Sequence, residues 1–401
     1  MTAAVRAAEE GAAVTLYERN PKPGRKLAIT GKGRCNLTNN CSPSEFLNNV
    51  VCGKKFLYSA AFRFKPEDTI AFFEELGVRL KTERGNRVFP ESDRSYDIID
   101  AFVRRIGRLN IDMLTGCRID GITACEDGGF IVESGNLKSH HPAVIICTGG
   151  VSYPLTGSTG DGYKMARSFG ISVCDPKPSL VPIETVEDVS PLAGLTLKNV
   201  TLTVSSGGKT VFSQMGEMLF AHFGVTGPLV LSASANMRGL PVREYQMAVD
   251  FKPAVEKKEL DARLEKMFRE NSAKDFINAV SRLLPAKLLP YIVKYAGIPE
   301  RKKTAEISRE ERRRLCEALK GFRLTPSSFR PVDEAIVTAG GVETSEIDPR
   351  TMQSKKIPGL YFAGEVLNAD AYTGGFNLQI AFSTGTCAGN AAAQQVNSNV
   401  R

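Results

Sequence analysis

The sequence predicts an α/β fold in which parallel strands carry glycine turns and acids to a ligand, and three stretches support that prediction. The first is LYFAGEVLNADAYTGGFNLQIAFSTGTCAG, ending at Gly389. LYFAG is short, apolar and ended by glycine, as a buried strand is. Glu365 follows directly, and Gly374 and Gly375 open a run with the small and apolar positions of a buried helix. The second is AAVTLYE, a strand ending at Glu18, preceded by an Ala-rich helix over Met1 to Glu10 that Gly11 ends. The third is RKLAITGKGRCNLTNN, Arg25 to Asn40, read as a basic loop punctuated by Gly31 and Gly33.

Each stretch has a chemical reading. An acid after a strand accepts from sugar hydroxyls, and the free N–H groups of a helix start face an electron-rich group. The segment Gly364, Glu365, Gly374, Gly375, Phe376, Asn377 and Leu378 therefore reads as the one that closes over the ribityl chain and ring of a flavin in flavoproteins of the glutathione-reductase type. Helix, glycine, strand and Glu18 form the second half of a dinucleotide-binding βαβ unit, where the acid binds the adenosine ribose. The first strand and its G-x-G-x-x-G are expected in roughly a dozen residues before Met1. In the basic stretch, Arg25, Lys26, Lys32 and Arg34 supply charge, and Asn36, Thr38 and Asn39 supply short hydrogen-bonding groups. Cys35 and Cys41 lack zinc-type partners, so no metal is expected. An ordinary strand–loop–helix, a nucleotide-free α/β start and a solvated surface loop are the plainer alternatives for the three.

With these motifs the chain resembles the BaiN-like (YhiN-like) FAD-dependent oxidoreductases over essentially its whole length. The markers are GRKLAITGKGRCNLTNN, GNRVFPESD (85–93), VIICTGGVSYPLTGSTGDGY (144–163), GEMLFAHFGVTGPLVL (216–231) and AGEVLNADAYTGGFNLQIAFSTG. The resemblance implies a Rossmann-like FAD-binding domain with Glu18, Arg25, Lys26, Gly33, Arg34, Cys35, Asn36, Thr38, Ile119, Thr148, Gly149 and the Gly364–Leu378 segment at the cofactor. It implies NAD(P)H as electron source and a small-molecule substrate, a bile-acid derivative, while the excess positive charge suits an anionic substrate such as an acyl-CoA derivative. In the bile-acid branch a ring double bond conjugated to a 3-oxo group is reduced: hydride reaches the β carbon and an acid protonates the α carbon. A flavin amine oxidase, and a non-enzymatic flavin-binding or RNA-associated protein, are the alternatives.

Composition bounds the rest. The chain has 401 residues, enough for two or three domains, and 42% hydrophobic residues, ample for burial. No apolar run approaches the ~20 residues of a membrane span. Nine scattered cysteines argue for reduced thiols in cytoplasm. The net charge of +8 is densest in RKKTAEISREERRRL (301–315), which mixes acids with bases at helical spacing. That reads as a solvated helix face, and with no aromatic interleaving no nucleic-acid partner is expected.

Composition shifts set the domains. An FAD-binding part over 1–181 is helical over 44–80 and alternates short strands and turns over 111–150, with a strand near Ile119 passing the adenine and another delivering Thr148, Gly149 and Gly150. An insert over 182–330 is β-rich over 182–252, including VREYQMAVDF, and helical over 253–320. The FAD-binding part resumes over 331–401.

Catalysis is less readable, because a flavin performs hydride transfer and the protein supplies position, polarisation and proton control. No Cys-x-x-Cys occurs. His140 and His141 are expected in a turn before Pro142 without a role. His222 either reaches the substrate or packs in a β-turn. Tyr153 and Tyr372 either donate to a carbonyl or form pocket walls. Arg34 is the first choice for stabilising negative charge, with phosphate binding as its alternative.

Overall fold

The computed structural model describes residues 1–126 and 128–399. The chain divides into two compact units, Met1–Ser179 with the segment from Pro331, and Leu180–Arg330.

The first unit contains two parallel strand pairs. Thr15–Glu18 runs beside Asp112–Thr115, with Glu18 opposite Thr115. Val144–Ile146 runs beside Leu360–Phe362, with Ile146 opposite Phe362. In each pair the carboxyl ends are level, and the glycines and acids read from the sequence lie at those ends. Ligands of open α/β sheets bind there.

The carboxy-terminal helix, Phe376–Asn399, lies against the amino-terminal helix Thr2–Glu9. Gly385 and Gly389 are four residues apart and so share a face. A Cβ on Gly389 would sit 2.4 Å from the Ala3 carbonyl oxygen, so the close approach requires glycine. Beneath them Phe72, Phe73, Phe102 and Phe382 interlock, with Phe73 and Phe102 edge to face at 5.1 Å. Phe102 comes from Ser95–Arg108, whose buried Ile98, Ile99, Ala101, Phe102 and Ile106 recur at helical spacing.

Three expectations are corrected in detail. The Arg25 to Asn40 stretch is not a loop throughout. Arg25–Ile29 is helical, Thr30–Gly33 is a 3-10 turn, and Thr38–Asn39 pairs with the hairpin Leu80–Glu83 and Arg87–Pro90. His140 and His141 lie on the strand Leu137–His141, not in a turn, because Phe130–Ser134 supplies its ladder partners. His141 Nε2 is 2.8 Å from the Tyr17 hydroxyl, which gives it a structural role. In VREYQMAVDF, Val242–Glu244 is a 3-10 turn following Pro241, and only Gln246–Asp250 is strand.

The second unit is built on a seven-stranded antiparallel sheet. Its longest hairpin, Thr196–Ser206 with Lys209–Ala221, turns through Gly207 and Gly208, both at positive φ (55° and 77°), as a two-residue hairpin turn demands. Its outermost strands, Phe322–Leu324 and Pro326–Phe329, are separated in sequence by Thr325 alone, so the sheet curls until its edges adjoin. Helices Lys257–Glu270, Leu289–Ala296 and Arg309–Lys320 share its core. The last starts at a capping box, Ser308 with Glu311. Its dense charge is largely paired: Arg312 with Asp261 (2.9 Å), Arg313 with Glu310 and Glu317, and Lys302 with Glu311 (2.7 Å). Among the described residues, no helix is long and apolar enough to cross a membrane.

Candidate cofactor site

Everything at this site lies in the first unit. Glu18 ends its strand with one oxygen fixed: Oε1 accepts from the Asn20 backbone N–H (2.7 Å) and from Asn20 Nδ2 (2.8 Å). Oε2 accepts from none of the described residues, leaving an aimed carboxylate with spare capacity. Asn20 Nδ2 also donates to the Thr156 carbonyl (2.9 Å), and Arg25 donates to Asn20 Oδ1 (3.3 Å), so strand end, basic helix and the 150–160 loop meet at one residue. Arg19 and Asp161 pair at 2.9 Å and secure the far end of that loop.

A second node forms around Glu365. Its Oε2 accepts from Lys26 Nζ (2.7 Å), and its Oε1 accepts from the Thr338 amide (2.8 Å) and Ser152 Oγ (3.2 Å). Lys26 also donates to Ser152 Oγ at 2.7 Å. Expected as an acceptor of sugar hydroxyls, Glu365 is already a bracket joining three segments, and a carboxylate offers about four acceptor positions in all. Gly150 is part of this bracket: a Cβ there would lie 2.2 Å from Thr338 Oγ1.

The glycine turn before the long helix is held from below. Gly374 and Gly375 have φ of 126° and 97°. A Cβ on Gly375 would come within 2.3 Å of the Thr38 carbonyl oxygen. With the Asn36 amide oriented to satisfy both neighbours, its oxygen accepts from the Gly375 N–H (3.0 Å) and its nitrogen donates to Thr38 O (3.2 Å). Thr38 Oγ1 donates to the wholly buried Gln379 Oε1 at 2.6 Å. Asn377 clasps Ala371, accepting from its N–H (2.9 Å) and donating to its carbonyl (2.8 Å). The first helical backbone bond runs from Gln379 to Gly375, so the amides of Phe376, Asn377 and Leu378 have no backbone acceptor within the helix.

The remaining expected residues divide. Thr148 and Gly149 follow the Val144–Ile146 strand, Gly149 at φ 75°, and Gly364 follows Leu360–Phe362 with its N–H on Thr384 Oγ1 (3.0 Å). Gly162 carries no signal in the sequence, yet a Cβ there would meet Thr148 Oγ1 at 2.2 Å. Ile119 is in the extended link between the Asp112–Thr115 and Gly121–Ala124 strands, partly buried in the core. Gly33 has φ 85° and open space around it. Cys35 is core rather than ligand surface: it is fully buried, and desolvation pushes its thiol up to about 12.

Arg34, read from the sequence as stabilising negative charge or binding phosphate, already has carboxylate partners. Its guanidinium pairs with Glu83 and Asp93 and lies 4.2 Å over the Phe89 ring. Those two carboxylates are held below their ordinary range, Glu83 chiefly by Arg34 and Asp93 by Lys81 and then Arg34. Tyr372 is tied by its backbone, its N–H on Asn49 O (3.0 Å). Burial raises the Tyr153 phenol. His222 belongs to the second unit, its ring edge to face with Phe223 at 5.0 Å. Sequence reading missed Asn20, Ser152 and Thr338, each of which also bonds a residue distant in sequence. Among the described residues no cluster of His, Cys, Asp and Glu could hold a metal.

Strand-end acids, glycine turns and free helix-start amides in one unit define a Rossmann-type FAD-binding fold. Residues 1–391 match the family described as HI0933-like protein Rossmann domain, and the chain belongs to that family. The chain is 29% identical over 398 residues to the 3-dehydro-bile acid delta(4,6)-reductase of Clostridium scindens, covering 96% of this chain and 93% of the relative. It is 30% identical over 388 residues to the ribosomal RNA dihydrouridine synthase of Haemophilus influenzae, covering 95% and 92%. Its fold is similar to a 3-ketosteroid-delta4-(5alpha)-dehydrogenase from Rhodococcus jostii, at 14% identity and a TM-score of 0.53, over 98% of this chain and 94% of that one.

Proposed function

We propose that the protein is an FAD-dependent oxidoreductase that saturates a carbon–carbon double bond conjugated to a carbonyl, with NAD(P)H as electron source. One observation carries this reading. The two relatives act on unlike molecules, yet a Δ4 bond beside a 3-oxo group and the C5=C6 bond of uracil are both conjugated to a carbonyl. The residues present fit FAD. Glu18 offers a carboxylate oxygen for a ribose, three helix-start amides at Phe376, Asn377 and Leu378 suit an electron-rich group, and the Lys26–Ser152–Glu365 bracket fixes the loops between them. Bound FAD, once reduced by NAD(P)H, would supply hydride to the β carbon of such an acceptor. Tyr372, in the same unit as the cofactor residues, is the candidate for delivering the proton to the α carbon.

The first substrate reading is a 3-oxo steroid or bile-acid enone, as the resemblance implies. A second, uracil within RNA, is favoured by how charge is distributed. Leu180–Arg330 holds 24 Lys and Arg against 17 Asp and Glu, so this unit carries +7 of the chain's +8. FAD-loaded protein incubated without oxygen with NADH or NADPH should add two mass units to a 3-oxo-Δ4 steroid or to uridines of a ribosomal RNA fragment. Reduction of the flavin by amines with peroxide release, and by neither nicotinamide, would replace the reading with an amine oxidase. Tyr372→Phe, compared with the wild type at saturating substrate, tells whether the proton step needs that phenol.

A further inference from the structure

The second unit carries a cleft of about 510 Å³ that the cofactor site does not involve. It is lined by Lys257, Tyr295, Arg314, Glu317, Lys320, Gly321 and Arg323. Four cations thus face one acid. Part of that charge is spent locally: Lys257 pairs with Glu317 (3.1 Å), and Lys320 pairs with Asp250 (2.6 Å). Among the described residues, two guanidinium groups have no carboxylate partner. Arg314 donates to the Ala296 carbonyl through Nε (2.9 Å), which fixes its fork at the end of the Leu289–Ala296 helix. Arg323 stands on the outward face of the edge strand Phe322–Leu324, with no ion pair among the described residues.

The same cleft is lined by an aromatic side chain. Tyr295 is 44% exposed, and its ring rests on Phe322 at 5.5 Å, with Phe322 itself buried. A ring held from behind by the core is a platform rather than a mobile side chain. Arginine forks match phosphate oxygens, and an exposed aromatic beside them accepts a base by stacking, the combination that single-stranded nucleic acid requires.

We propose that this cleft is a docking site for an RNA strand, with Arg314 and Arg323 on consecutive phosphates and Tyr295 under a base. The proposal rests on the RNA reading of the substrate and extends it, because it assigns affinity to a surface separate from the residues of the cofactor site. The unit's charge of +7 supplies the long-range attraction, and the cleft supplies the local fit.

The test is fluorescence anisotropy with a labelled, uridine-rich RNA 20-mer and FAD-loaded full-length protein, over a range of salt concentrations. Each phosphate that the protein no longer neutralises reduces the slope of log K against log salt by about 0.7 on a single strand. Arg323→Glu, which breaks no side-chain bond among the described residues, should flatten the slope and weaken binding about tenfold or more. Tyr295→Ala should weaken binding with the slope unchanged. Arg314→Gln should resemble Arg323→Glu, with its melting temperature and flavin content showing whether the helix end survives. Turnover of a small 3-oxo-Δ4 enone should stay at the wild-type value in all three. Wild-type binding that none of the three variants alters overturns the cleft assignment, as does a wild type that binds no RNA. Uridine reduction in RNA, scored by mass, judges the substrate reading separately: retained reduction with an unchanged KM in the variants removes the cleft and keeps the reading.

Discussion

Glu18 illustrates how a single residue can be aimed by its own turn. Both donors to its Oε1 come from Asn20, two residues on, so the carboxylate is positioned before any ligand arrives. If Oε2 accepts from the adenosine ribose, Glu18→Gln should weaken FAD about tenfold, the lower end for a hydrogen bond to a charged group. FMN, which has no adenosine, should bind the variant and the wild type alike. Equal FAD retention by both proteins, measured by equilibrium dialysis, would remove Glu18 from the site. Arg34 leads to a different expectation. Glu83 and Asp93 have folded-state pKa values below their ordinary ones, so their pairing stabilises the protein fully above those ordinary values and is lost as pH falls through the depressed ones. The urea midpoint of the wild type should therefore drop in the acid range below about 4.5, the ordinary value for Glu83, and Arg34→Gln should flatten that drop. The cluster is largely solvent-facing, so the effect should be modest and shrink with salt. An identical acid limb in both proteins would show that the cluster contributes nothing.

Among the elements, the two terminal helices meet through backbone rather than through side chains. Gly389 is needed because Ala3 O occupies the space of a Cβ, whereas Gly107, in the helix Ser95–Arg108, has nothing within 4 Å of its would-be Cβ. The same substitution should therefore act in opposite directions. Gly107→Ala should stabilise by about 0.5–1 kcal/mol, the helix preference for alanine over glycine. Gly389→Ala should lower the melting temperature, since one helix must shift; unaltered melting of this variant would mean that the helices do not approach as described. This contrast also marks what the sequence could disclose. LYFAG, AAVTLYE and the Gly374–Gly375 turn were legible because strand, breaker and helix start are local patterns, and the fold class followed from them. Lys26 with Glu365 and Thr38 with Gln379 are 339 and 341 residues apart, and no local pattern pairs them. Arg34 was legible as a charge but not as a neutralised one, because Glu83 and Asp93 reach it only through the hairpin across Arg87–Pro90. His141 was lost to the turn-like Pro142, though the strand ladder with Phe130–Ser134 decides its place.

At the scale of the whole molecule, the two units have separate hydrophobic cores. One is built on Phe212, Met218, Phe220, Leu264 and their neighbours within Leu180–Arg330. The other unit contains two clusters, one around Tyr361 and Phe362 and one around Phe73 and Phe102. Each core is large enough for its unit to unfold cooperatively on its own, and every residue assigned to FAD lies in the first. Calorimetry should therefore show two transitions, and FAD should raise only one of them. A ligand that binds the folded form alone stabilises by about 2.7 kcal/mol at a hundred times its dissociation constant, so the FAD-sensitive transition should climb by several degrees as flavin is added. Glu18→Gln should reduce that climb without moving the second transition, and RNA should act on the second transition if the Tyr295 cleft binds it. A single transition that FAD shifts as a whole would show instead that the units unfold together, and a flavin effect confined to Leu180–Arg330, located by limited proteolysis, would move the cofactor out of the first unit.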